Sequence, residues 1–365
     1  MKILHIITSL RTGGAERLLV DLLPRLQRQG HQVELLLFDG TRTPFYEQLE
    51  RQGIAIHALG KGFRNMYNPL HIFQLKRFLK RPFDIVHTHN TSCQLFTTLA
   101  YQSPTHVLVT TEHNTSNRRR AWKWYRGIDR WMYGKYRHII CVSNEAKQNL
   151  AKALDDARLF QRMHVIPNGI DLQRFFEALP DNTIRNRFDA KYIIIMVGAF
   201  RKQKDQPTLI RAMQLLPDDY RLWLAGDGEC RADCEELASE MGLNNRIVFL
   251  GNRSDIPSLL ATTDVTVLSS HYEGMPLSAI EGMCSGKPFI ASDVDGLREI
   301  AGKAALLFPH EDDRRLATLI RQVCEDDELY KQVATRCRER ALQYDIKDMA
   351  ERYEKIYNQC FKLKY

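Results

Sequence analysis

No stretch of the 365-residue chain approaches the roughly 20 consecutive apolar residues of a membrane-spanning helix, so a helical membrane anchor is not expected. Cys-x-x-Cys spacing is also missing. The eight cysteines are scattered, and the closest pair, Cys230 and Cys234, falls on a helix-like segment. A disulfide framework or zinc site is therefore not expected, and a reducing cytoplasm fits better. Internal repeats and low-complexity tracts are absent. The first strand-like run is followed by Gly13-Gly14 but not by a full Gly-x-Gly-x-x-Gly, which weakens a nicotinamide or flavin reading. The opening Met1-Lys-Ile-Leu-His-Ile-Ile7 is too short for a signal-peptide core and lacks a cleavage site after it, so it reads as a strand.

What is present describes a two-domain α/β protein. The length exceeds what one hydrophobic core usually serves. A hydrophobic content of 44% and a charged content of 26% are those of an ordinary globular chain. Charge is uneven: the first 180 residues carry 26 Lys+Arg against 14 Asp+Glu, the remainder 26 against 30. A basic first half beside a mildly acidic second half points to different partners for each, the first anionic. Both halves alternate short apolar strands with amphipathic helices, the pattern of parallel sheets covered on both faces. In the first half the predicted strands are 3–7, 32–38, 84–87, 106–110 and 138–142, with a helix from the Gly13-Gly14 loop to Gln29 that Gly30 caps. In the second they are 192–197, 221–225, 246–250, 264–269 and 288–291. The expectation is two Rossmann-like, doubly wound parallel-sheet domains, residues 1–175 and 176–345. Ile166-Pro-Asn-Gly-Ile-Asp171 and the polar Pro180-Asp-Asn-Thr-Ile-Arg185 form the expected linker, and a last helical pattern runs over 346–361.

The most telling segment is Glu273-Gly-Met-Pro-Leu-Ser-Ala-Ile-Glu281. A strand-like run precedes it and a helix-like run, 277–285, overlaps its end. Glu273 therefore lies in a strand-to-helix loop, and Glu281 lies in the helix, on the same side of the crevice at the carboxyl ends of the strands. Gly274 is expected to let the backbone approach a ligand closely. Amides of the Gly274, Met275, Leu277 and Ser278 stretch, turned by Pro276 into a helix N-terminus, can hold phosphate oxygens, while the two carboxylates accept hydrogen bonds from sugar or ribose hydroxyls. That combination suits a sugar nucleotide. Gly226-Asp-Gly228 and Gly251-Asn252-Arg253 follow strands at the same edge and by position line the same pocket.

Two acids at a given spacing mean little alone. With His271-Tyr-Glu-Gly-Met-Pro-Leu-Ser278, Gly286-Lys-Pro-Phe-Ile-Ala291 and Gly296-Leu-Arg-Glu299 around them, the chain resembles the family-4 retaining glycosyltransferases of Glu-x7-Glu type. The resemblance runs from Gly13-Gly14 to the Glu299 region with its motifs in family order. It implies the GT-B fold, two Rossmann-like domains facing across a cleft, with residues 346–365 packing back on the first domain. It also implies a bacterial surface-polysaccharide enzyme that moves a sugar from a nucleotide donor, most commonly a UDP-sugar, with retention of anomeric configuration. The acceptor is expected to be a glycan or a polyprenyl-diphosphate-linked glycan. No metal or other cofactor is expected, although Asp293-Val-Asp295 superficially resembles a metal motif.

Carried onto this chain, the resemblance places Gly14 near the donor diphosphate and the acceptor, and His113 beside the transferred sugar. An imidazole there could hydrogen-bond a hydroxyl on either side and would titrate near neutrality. Glu273 would orient sugar hydroxyls and Glu281 bind ribose, with backbone near Gly251, Asn252 and Arg253 at the base. The family places an arginine directly after the glycine at 198 and a lysine five residues further on. Lys204 matches the lysine, but Ala199 occupies the arginine position, so Arg201 or Lys202 is expected to reach into that space. The two cations are not equivalent clamps, since arginine offers a bidentate fork and lysine a point charge. No obvious nucleophile for double displacement stands out, and front-face substitution is the more economical route.

His87 and His89 have the alternating spacing of a strand end rather than the four-residue spacing of a helical zinc pair. From Arg118 to His138 there are eight Lys+Arg against one acid, Asp129, and three of the four tryptophans. On a helix, Trp124, Ile128 and Trp131 share one face with Lys123, Arg126 and Arg130 opposite. Two readings stand side by side, a tryptophan face packed into the first domain and peripheral contact with an anionic membrane at its cytoplasmic surface. Nucleic acid is not an expected partner. Two rival functions share the architecture: a sugar-nucleotide 2-epimerase and a non-catalytic partner subunit, the latter prompted by Ala199.

Overall fold

The computed structural model describes residues 1–62, 67–101, 106–113, 125–188 and 190–362. They form two compact units, Met1–Gly169 with Ile346–Tyr365, and Ile170–Asp345. The first unit holds β1 (Lys2–Ile7), β2 (Gln32–Leu37), β3 (Ala55–Ala58), β4 (Ile85–His89), β5 (Val107–Glu112), β6 (His138–Cys141) and β7 (Met163–Val165). The second holds β8 (Tyr192–Val197), β9 (Tyr220–Ala225), β10 (Ile247–Gly251), β11 (Val265–Leu268), β12 (Phe289–Ser292) and β13 (Leu306–Phe308). Strand order is β3-β2-β1-β4-β5-β6-β7 in one sheet and β10-β9-β8-β11-β12-β13 in the other. Every pairing is parallel.

Strands buried on both faces must be apolar along their length, which is why Ile3, Leu4, Ile6 and Ile7, and again Ile193 to Met196, are all sealed from solvent. Each sheet grows outward in both directions from its first strand, so the order in which strands are added reverses between β1 and β4 and between β8 and β11. Loops splay apart beyond the carboxyl ends of such strand pairs and leave a crevice that α/β proteins use for ligands.

Three edge strands, β3, β7 and β13, were not expected. They have three or four residues and are mostly half-buried or exposed, so they lack the apolar run that marks the central strands. The units divide at Gly169–Ile170, six residues before the expected boundary. The short helix Leu172–Phe176 belongs to the second unit because it packs on the helices Ile256–Thr262 and Leu277–Cys284, with Leu172 and Phe175 buried. The polar stretch at 180–185 is not a linker. Asp181 caps the helix Asn182–Arg185, and Arg185 bonds Asp264 at 3.0 Å inside the second unit. The C-terminal helix Ile346–Lys362 lies in the first unit against the helix Gly14–Arg28, burying Tyr353 and Tyr357.

All eight cysteines are free. Among the described residues no helix is long and apolar enough to cross a membrane.

Candidate functional site

In the second unit the loops after β8, β9 and β11 meet at the reversal point. Gly226 has φ of 144°, and a Cβ there would lie 2.0 Å from the Gly198 carbonyl oxygen, so only glycine lets these two loops pack backbone to backbone. The chain then turns through Lys202–Lys204 into Asp205, which caps the helix Gln206–Gln214 by accepting from the Thr208 amide at 3.3 Å and also accepts from the Thr208 hydroxyl at 2.6 Å. Ser269 Oγ, just past β11, donates to the Asp205 carbonyl at 2.7 Å and ties this turn to the Glu273 loop.

Lys204 Nζ stands 2.5 Å from Glu273 Oε1. Ser270 Oγ donates to the same oxygen at 2.6 Å, and Gln203 Nε2 to Oε2 at 3.3 Å. Glu273 is only 6% exposed. A carboxylate so buried is tolerable because a cation and two neutral donors surround it. Gly274 does not adopt positive φ, whereas a Cβ on Gly296 would lie 2.2 Å from the Glu273 carbonyl oxygen. Gly296 in the helix Asp295–Ala301 therefore braces the loop from outside.

Beyond Glu273 the chain enters the helix Leu277–Cys284, whose N-terminus no side chain among the described residues caps. Met275, Pro276 and Leu277 are buried, Gly274 and Ser278 half-buried, and Glu281 sits half-buried one turn in. Pro276 has no N–H, so an anion at this terminus would meet the amides on either side of it. Gly251 has positive φ, while Asn252 and Arg253 are exposed and Arg253 is engaged by Asp255 at 2.6 Å. Arg201 is exposed and makes no ion pair among the described residues. Both carboxylates of the Asp293-Val-Asp295 string are held by Arg298, at 2.6 and 2.8 Å. Gln203 and Ser270 were missed by sequence reasoning; the only signal for them is polar side chains beside a basic loop and a strand end.

The first unit builds a different crevice. A Cβ on Gly13 would lie 2.2 Å from Glu16 Oε2, whereas Gly14 has open space around it. The helix N-terminus at this loop is thus faced by its own glutamate. His113, just past β5, is hydrogen-bonded through Nε2 to His89 Nδ1 at 3.0 Å, and His89 Nε2 to His5 Nδ1 at 3.0 Å. His87 Nδ1 meets the Tyr357 hydroxyl at 2.6 Å and its Nε2 meets Thr111 Oγ1 at 2.8 Å. The expectation that His113 titrates near neutrality does not hold: burial lowers its pKa to about 4. Burial likewise lowers His5 to about 3 and holds His87 and His89 well below the usual imidazole range.

Of the segment from Arg118 to His138, residues 118–124, including Trp124 and Lys123, lie outside the described residues. The helix Tyr125–Gly134 buries Asp129, Met132 and Tyr133, and leaves Trp131 44% exposed. The face that packs inward is therefore not the one carrying Trp131. Arg130 is paired with Asp155 at 3.1 Å and Arg126 with the same oxygen at 3.7 Å.

Two doubly wound units, one with a lysine–carboxylate pair beside an uncapped helix N-terminus, define a GT-B architecture. Comparison with known proteins agrees. The Glycosyltransferase Family 4 description matches residues 12–174 and Glycosyl transferases group 1 matches residues 181–340. The chain belongs to the family-4, group 1 glycosyltransferases. It is 26% identical over 313 residues to the Escherichia coli UDP-Gal:alpha-D-GlcNAc-diphosphoundecaprenol alpha-1,3-galactosyltransferase, covering 81% of this chain and 80% of that one. Identity is 30% over 237 residues, 62% of each chain, to N,N'-diacetylbacillosaminyl-diphospho-undecaprenol alpha-1,3-N-acetylgalactosaminyltransferase of Campylobacter jejuni. The fold matches that of Anabaena HepE, solved in complex with UDP-glucose, with a TM-score of 0.85 at 21% identity, over 98% of this chain and 100% of that one.

Proposed function

We propose that this glycosyltransferase moves a sugar from a UDP-sugar to a lipid-linked glycan, with retention of configuration and without a metal. The observation that carries the reading is Lys204 Nζ held 2.5 Å from Glu273 beside the uncapped N-terminus at Leu277. A nucleoside diphosphate laid there meets a cation, the amides at the helix N-terminus and, one turn on, the Glu281 carboxylate for ribose hydroxyls. Arg201 supplies the second positive charge that Ala199 does not. Lys204, the amides and Arg201 would stabilise the departing diphosphate, and the departing phosphate would take the acceptor proton.

Glu273 is assigned to orientation rather than attack, because Lys204, Ser270 and Gln203 already engage both of its oxygens. Retention through front-face substitution is the reading this supports; relatives named for alpha linkages agree with it wherever the donor is itself α-configured. Metal independence is supported by Arg298, which occupies the Asp293 and Asp295 carboxylates. The lipid-linked acceptor follows from relatives named for diphospho-undecaprenol substrates and from the basic first unit. Exposed Trp131 on a basic segment would rest at the cytoplasmic membrane surface.

Thermal-shift titration with UDP- and GDP-sugars tests the donor assignment, since a ligand of the native state raises Tm. A UDP-sugar should raise Tm for the native chain and not for Lys204→Ala. Incubation with that donor alone, followed by product analysis, should return no epimerised nucleotide sugar; an altered nucleotide sugar would establish the isomerase instead.

A further inference from the structure

Three histidines of the first unit, His5, His89 and His113, form a hydrogen-bonded line, with His87 stacked beside it. His5 and His89 lie within 13° of a common plane with centroids 5.3 Å apart, and His89 and His113 have the same 5.3 Å spacing. Combined with N···N distances of 3.0 Å, this is edge-to-edge contact, nitrogen to nitrogen. His87 lies flat against His89 at 4.5 Å and is pinned by Tyr357 and Thr111, which fixes the plane of His89, while His113 is tilted 32° from it.

Each contact in such a line needs one N–H and one bare nitrogen, so the three rings share a single direction of donation. The far end decides which. His5 Nε2 is sealed from solvent and has no hydrogen-bond partner among the described residues. If donation ran from His113 inward, that atom would carry an unpaired N–H, which buried protein groups rarely tolerate. If it runs outward, the orphan at His5 is a lone pair, and the N–H groups of His5 and His89 are both used. Outward donation puts the proton of all three rings on Nδ1. His113 is half-buried, and its Nδ1 is bonded to nothing among the described residues.

We propose that His5 and His89 are positioning residues that hold His113 in its Nδ1–H tautomer, so that His113 donates a hydrogen bond to a substrate oxygen and does not act as a base. The inference rests on the reading above, in which His113 faces the transferred sugar. Burial keeps the rings neutral, and a charged ring would break the line because both of its nitrogens would donate.

Histidine 15N NMR of the full chain near neutral pH reads the tautomer directly. The expected spectrum shows His113 Nδ1 as the protonated nitrogen and Nε2 as the bare one. A His113 protonated on Nε2, or an even mixture, overturns the proposal without any variant being made. In His89→Phe the line is cut, so His113 should relax towards the Nε2–H form and kcat for transfer should fall about tenfold, the effect of one misdirected hydrogen bond. His89→Asn, whose amide N–H can replace the lost donor, should restore both. A folded His89→Phe that keeps Nδ1–H overturns the role of His89. A stoichiometric transition metal in the purified protein would also overturn it, because a metal among His5, His87 and His89 would replace the N–H···N contacts. If no UDP-sugar is transferred at all, the catalytic reading fails while the tautomer result stands or falls by itself.

Discussion

The two units share a strand order and differ in what fills the crevice at the point of reversal. In the second unit it is charged, a lysine and a glutamate in contact with polar donors around them. In the first it is neutral, a line of imidazoles whose pKa values burial lowers so far that they take no proton near pH 7. Ten of the twelve histidines lie in the first unit. The same scaffold therefore supports two chemistries, and the difference resides in a few loop and strand-end residues, as expected where function is grafted onto a fold.

The largest expected effect tests the charged half. Lys204→Ala strands Glu273 in a buried position and should cost about 3 kcal/mol of stability, read by urea unfolding. It should also lower transfer by about a hundredfold or more, the scale of a lost electrostatic stabiliser. Replacing both partners with apolar residues of similar shape, Lys204→Met with Glu273→Leu, should recover most of the stability and none of the activity. Recovered activity would show that the pair is structural only.

Acid should break the neutral half first. For His5 the folded pKa, about 3, lies below the unfolded value of 6.5, so the unfolded chain binds the proton more tightly at intermediate pH. Stability of the first unit is then full above the unfolded value and is lost as pH falls from there towards the folded one. At about pH 4.5 His5 alone accounts for on the order of 2–3 kcal/mol, with His113 and His138, each lowered to about 4, adding to it. Hydrogen exchange should show β4 and β5 opening at a higher pH than β8 and β11. Equal acid sensitivity in the two sheets would remove the histidine line as the distinguishing feature.

Much of this contrast was legible in the sequence for one half only. The central strands could be read because burial on both faces demands unbroken apolar runs, and the Glu273 and Lys204 loops because their strings match a family pattern. Their direct contact spans 69 positions and is made by folding alone. So is the brace from Gly296, whose string Gly296-Leu-Arg-Glu299 matches the family pattern without showing what the glycine packs against. The histidine line was less legible still. His87 and His89 read as a strand end, but His5 lies 84 positions from His89, and nothing local marks it as a partner. Trp131 was placed on a face that helical periodicity favoured, yet Asp129, Met132 and Tyr133 are the residues packed inward. A periodicity argument fails here because Asp129 is polar and still buried.

A smaller effect sharpens the assignment within the charged unit. Glu281→Ala should weaken UDP-sugar binding about tenfold by removing the charged acceptor of the ribose hydroxyls, with little change in kcat at saturating donor. Unchanged affinity, measured by calorimetry, would place the ribose elsewhere.

The smallest effect concerns the cation that the family pattern puts at Ala199. Ala199 is half-buried, and its carbonyl accepts from Gln206 at 3.1 Å, so the backbone there is already held and only the side chain is in question. Because Lys204 is neutralised by Glu273 before any ligand arrives, the diphosphate meets less net positive charge than a free lysine would offer. If Arg201 fills that deficit, Arg201→Ala should raise the donor KM several-fold, and adding Ala199→Arg to that variant should recover it. Ala199→Arg in the native chain should then change KM by no more than about twofold, since the position is already served from two residues away. A large gain from Ala199→Arg alone would mean that Arg201 stays in solvent and that the second unit works with a single, already paired cation.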